Sequence, residues 1–111
     1  MIPKHSFLIG REATKSNQTI PVINPYSLKT FAEVCLAGPA EIDSAIALAI
    51  SAFEITRKQP TYLRARICNQ VADGIEKQKD EFAETIARES GQPLVYARAE
   101  VARNVSRADS I

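Results

Sequence analysis

Apolar and polar positions divide the chain into a strand-rich opening and a longer helix-rich remainder. Phe7-Leu8-Ile9 before Gly10 is a short apolar run and reads as an edge strand. Residues 12–19, EATKSNQT, are polar and read as a loop. Ile20-Pro21-Val22-Ile23 is strand-like, and Pro21, which has no N–H to give a ladder, points to an edge. Asn24-Pro25-Tyr26-Ser27 is a turn signal. From Phe31 to Leu36 the chain alternates, with Ala32, Val34 and Leu36 on one face and Phe31, Glu33 and Cys35 on the other. These two runs predict a β-hairpin with a loop of about six residues.

The period then changes to that of a helix. Gly38-Pro39 opens the first one, because proline suits the first helical position, and Glu41 and Asp43 fall where the helix dipole favours anions. Ile42, Ala45, Ile46, Ala49, Ile50 and Phe53 follow one apolar stripe, and Arg57 and Lys58 suit the negative end. The stretch from Pro60 to Pro93 reads as two further helices. Thr61 is the expected cap of the first, whose stripe is Leu63, Ile67, Val71 and Ile75. Residues 77–80 carry no apolar side chain, and Asp80 is the expected cap of the second, with Glu81 and Glu84 in its first turns. Phe82, Ala83, Ile86 and Ala87 form its apolar side. Gly91 is a C-terminal stop and Pro93 a restart. A last helix places Leu94, Ala97, Val101, Val105 and Ala108 on one side and Arg98, Arg103 and Arg107 mostly on the other. Its pattern carries no stop signal before Ile111. The predicted fold class is α+β, mainly helical: an edge hairpin followed by about four amphipathic helices.

Composition narrows the function classes. A chain of 111 residues suffices for one small domain, and 45% hydrophobic with 24% charged residues places it with globular rather than disordered chains. Residues 1–56 hold four basic and five acidic groups, and residues 57–111 hold ten and eight, so neither half is a basic patch for nucleic acid. The longest apolar run, Ala45 to Ile50, is far short of the roughly 20 residues that span a bilayer. The opening MIPKHSFLIG lacks a signal peptide's apolar core and cleavage site, which sets a cytoplasmic expectation. Cys35 lies in a strand and Cys68 in a helix, as two small buried or half-buried hydrophobes.

No reacting constellation emerges. The lone histidine, His5, sits in what reads as a frayed terminus, remote from any partner for nucleophilic catalysis. Gly10, Gly38, Gly74 and Gly91 are never closer than 17 residues, which rules out a glycine-rich phosphate loop. Glu76, Asp80, Glu81, Glu84 and Glu89 lie along helices among lysines and arginines and read as a solvated face with i,i+4 pairs. The arginines of the last helix read as exposed helix charges. No catalytic, cofactor-binding or metal residue is assigned.

From Ile20 onward the sequence resembles the N-terminal quarter of the aldehyde dehydrogenase superfamily. Val22-Ile23-Asn24-Pro25 resembles the family's first strand ending in Asn-Pro, and Ala32-Glu33-Val34 the strand that follows. Ala37 to Ala52, with Glu41-Ile42-Asp43-Ser44-Ala45-Ile46, resembles its first helix, and Ala52-Phe53 its common Ala-Phe pair. Arg64-Ala65 and Ala72-Asp73 resemble its second helix. Glu89-Ser90-Gly91-Gln92-Pro93 is similar to its Glu-Ser/Thr-Gly-Lys-Pro turn, and Ala97-Arg98-Ala99-Glu100-Val101 to the segment after it. Three departures stand out. A glycine is usual near Leu28, a tryptophan where this chain has Ile55-Thr56, and a lysine in place of Gln92.

The resemblance implies an oxidoreductase that converts aldehydes to acids with NAD or NADP, through a cysteine, a glutamate base and an asparagine in the oxyanion hole. In complete members those residues lie far downstream of this region, and Cys35 and Cys68 do not match the catalytic cysteine. Some members hold a structural alkali cation near the strand before Asn24-Pro25 and at an acidic residue resembling Glu100, but no metal site is assigned here. The expectation is therefore an N-terminal fragment, inactive alone and binding no cofactor alone. Residues 1–19 would be a strand and polar loop, and residues 20–111 a partial cofactor-domain segment, incomplete at the C-terminus. The expected partner is the remainder of a split dehydrogenase, or a second copy. The alternative is a non-enzymatic helical module that binds an intact relative or itself, with an independent small enzyme a distant third. The first and last helices are expected to keep exposed apolar residues.

Overall fold

The computed structural model describes the backbone of residues 1–109 and the side chains of residues 1–106. Arg107 and Ala108, placed above on the last helix, lie outside the described side chains, and Ile111 lies outside the described residues. The fold is α+β and mainly helical, as the patterning predicts: short strands come first, then four helices. The chain separates into two compact units, Met1–Lys58 and Gln59–Ile111, each described by itself.

The first unit is built on a three-stranded sheet. The strands are β1 (Lys4–His5), β4 (Thr19–Ile23) and β5 (Thr30–Cys35), in the order β1-β5-β4. β4 and β5 form the predicted antiparallel hairpin, and Pro21 lies on the edge strand, where an N–H is dispensable. β1 pairs with β5 in parallel, setting His5 opposite Val34, so the segment read as frayed is a strand. A run of two residues carries no periodicity, so only its partner could reveal it. β2 (Phe7–Ile9) and β3 (Glu12–Thr14) make a second hairpin turning at Gly10, whose φ is 61°. The start of the supposed polar loop is thus a strand. Its polar side chains hid it, and the signal that could have found it was the Gly10-Arg11 turn.

At the tip of the β4–β5 hairpin, Asn24 Oδ1 accepts the N–H of Tyr26 at 2.9 Å and that of Ser27 at 3.3 Å, an Asx-type turn. Leu28 follows with φ 56°. It occupies the left-handed region that glycine prefers, so the departure noted at this position leaves a leucine in a glycine-like conformation. The buried positions of β5 are Ala32 and Cys35, which fall on opposite faces rather than on one. The Cys35 thiol donates to the Ser16 carbonyl at 3.8 Å.

Helix α1 (Pro39–Thr56) starts as predicted, with proline first. The Gly38 N–H donates to Glu41 Oε2 at 3.0 Å, so Glu41 caps the helix as well as meeting its dipole. None of the 18 residues of α1 is buried. It lies against β2, where a Cβ on Gly10 would stand 3.4 Å from Leu48 Cδ1.

The second unit is a three-helix layer: α2 (Thr61–Lys77), α3 (Lys79–Ser90) and α4 (Leu94–Asp109). Both expected caps move. Pro60 is the N-cap of α2 and Gln78 that of α3, so Thr61 and Asp80 lie inside their helices. Thr61 Oγ1 instead accepts from Arg64 Nη2 at 3.2 Å. A single residue, Gln78, separates α2 from α3, which leaves no extra position for a capping side chain. Gly91 closes α3 in the left-handed conformation, φ 71°, as predicted, and Pro93 accepts the first helical N–H groups of α4.

The core of this unit is made of small side chains. Ala83, Ala97 and Val101 are buried together, with Ile75 and Ile86 packed against them, and Ala72 is 1% exposed. α4 contacts both α2 and α3. The face of α2 that turns inward holds Ala65, Cys68, Ala72 and Ile75, at helical spacing. The predicted stripe is corrected in part: Leu63 and Ile75 are half-buried, but Ile67 and Val71 are half exposed. Alanines let neighbouring helix axes approach closely, which is why the smaller of two adjacent faces is the one covered.

Candidate functional site

The charged residues that interrupt the α2–α3 pattern converge on α4. Glu76, Lys79, Asp80, Arg98 and Ala102 line a cleft of about 310 Å³. Lys79 Nζ donates to Glu76 Oε1 at 2.9 Å. The hydrogen bond that the Glu76 carboxylate accepts, and then its charge, hold the Lys79 ammonium above the ordinary lysine pKa. Two cations and two anions share the cleft, so its charge is balanced. It offers polar contacts, and neither a nucleophile nor a positive anion trap. Nothing in the linear pattern marks Arg98 as a member. A break in the α2–α3 stripe at residues 77–80 was the available signal.

A second, apolar groove of about 290 Å³ is lined by Ile75, Phe82, Ile86, Val101 and Asn104. It is the open edge of the α3–α4 core rather than a separate chemical site.

The remaining groups singled out from the sequence stay apart from reacting partners. Cys35 is buried and Cys68 half-buried, both as free thiols. Glu84 pairs with Arg88 at 2.7 Å, and Glu54 with Arg57 at 2.8 Å, as exposed helix ion pairs. Arg103 is exposed. Among the described residues no group of three His, Cys, Asp or Glu side chains could hold a metal ion. No helix among them is long and apolar enough to cross a membrane.

The chain's likeness to other proteins decides its family. The aldehyde dehydrogenase family pattern matches residues 12–110. The chain belongs to the aldehyde dehydrogenase family. It is similar to an aldehyde-dehydrogenase-like protein of Sinorhizobium fredii, 40% identical over 93 residues, which are 84% of this chain and 18% of that protein. It is similar also to the 3,6-anhydro-alpha-L-galactose dehydrogenase of Streptomyces coelicolor, 33% identical over 86% of this chain and 20% of the other. Among solved structures, aldehyde dehydrogenase 21 from Physcomitrella patens, in complex with the reaction product succinate, matches with a TM-score of 0.94. That likeness has 25% identity and covers 99% of this chain and 23% of the other. Glyceraldehyde-3-phosphate dehydrogenase from Methanocaldococcus jannaschii, complexed with NADP, matches with a TM-score of 0.79 and 30% identity over 85% of this chain and 21% of the other. The chain spans about a fifth of the length of these relatives. This aldehyde dehydrogenase family member matches the N-terminal part of the longer proteins.

Proposed function

We propose that this chain is the N-terminal segment of an NAD(P)-dependent aldehyde dehydrogenase, supplying packing for a site whose reacting groups lie elsewhere, and that it is inactive alone. The observation that supports this reading is the asymmetry of coverage: 84% of this chain against 18% of its Sinorhizobium relative. In this reading residues 20–111 belong to the cofactor domain of the complete enzyme. NAD or NADP is then the cofactor of the assembled enzyme and not a ligand of the segment. The use of NADP is supported by the NADP-bound Methanocaldococcus structure.

The test is to mix the purified chain with a panel of aldehydes and either NAD or NADP and follow reduced nicotinamide by absorbance. No aldehyde-dependent increase is expected. A sustained increase that scales with the amount of pure chain would sink the reading.

A second reading, a non-enzymatic module that binds an intact relative or itself, is favoured by the exposed apolar side chains Ile46, Ile50 and Phe53 on α1 and Ile67 and Val71 on α2. Sedimentation of the chain, alone and mixed with an intact aldehyde dehydrogenase, tests it. A single monomeric species in both runs removes it.

A further inference from the structure

We draw no further inference here: the strongest candidate, the charged cleft of α2, α3 and α4 lined by Glu76, Lys79, Asp80, Arg98 and Ala102, carries nothing, because its charges balance, all five lining residues are exposed, and no buried unpartnered polar side chain among the described residues points to a ligand.

Discussion

Helices α1 and α4 carry apolar patterns of similar quality, yet they end in different circumstances. α4 buries Ala97 completely and leaves Val101 only 3% exposed. α1 buries nothing, and Ile42, Ile46, Ile50 and Phe53 are all at least half exposed. The contrast lies in the neighbours. α4 has two helices beside it whose facing positions are alanines, so three backbones come close and small side chains suffice to exclude water. α1 lies beside a two-stranded hairpin, touching near Leu48, and gains no buried residue from it. A stripe states that a helix needs a neighbour; it does not supply one. The first unit is therefore held by its sheet, its turns and its caps, and the second by a close-packed core.

The largest expected effect would break this contrast directly. Ala97→Leu inserts three carbons where no solvent remains, and overpacking of this kind costs roughly 1–3 kcal/mol. The matched change on α1, Ala49→Leu, is on an exposed position and should fall within about 0.5 kcal/mol of wild type. Chemical denaturation of both variants, at a concentration where the chain is monomeric, measures the pair. Equal losses would mean that α1 is as tightly packed as α4.

Because α1 lacks burial, its local cap should matter more. Glu41→Ala removes the carboxylate that accepts the Gly38 N–H, and losing such a cap costs about 1 kcal/mol. Hydrogen exchange should show faster exchange through the first turns of α1 and unchanged protection in α3 and α4. Leu28→Gly acts on the same unit with the opposite sign. It relieves a left-handed leucine and adds unfolded-chain entropy, for a net gain of a few tenths to about 1 kcal/mol. A destabilised Leu28→Gly variant would show that the exposed leucine is held by contacts stronger than its strain.

The smallest effect concerns the cleft in the second unit. The Lys79 pKa is raised above 10.5 by Glu76, so the stability that this pair contributes is fully present below the ordinary lysine value. It is lost only as pH rises through the higher folded value. Lys79→Met should erase this alkaline dependence and leave stability near neutral pH almost unchanged, since the pair is solvent-exposed and screened by salt. A large change at neutral pH would mean that Lys79 holds the α2–α3 junction in another way.

Much of the fold was legible from local chemistry. Pro39, Gly91 and Pro93 marked helix ends because their backbone constraints act within one turn. Pro21 announced an edge strand for the same reason. The β4–β5 hairpin followed from two short apolar runs around Asn24-Pro25. What escaped was non-local. β1 exists because β5 lies beside it, and β3 because β2 turns back at Gly10. The charged cleft was half visible, since the gap at residues 77–80 showed a break in the stripe. Arg98 joins it only because α4 packs where it does.

The sequence alone determined where backbone conformation changes and which helices carry an apolar side. Those properties depend on single residues and on spacings of three or four. Tertiary structure alone decided which side is covered. On α2 it chose Ala65, Cys68, Ala72 and Ile75 over Ile67 and Val71. The physical reason is that burial belongs to a pair of surfaces. Side-chain size on the approaching helix, and not hydrophobicity on the receiving one, settles how near the two can come.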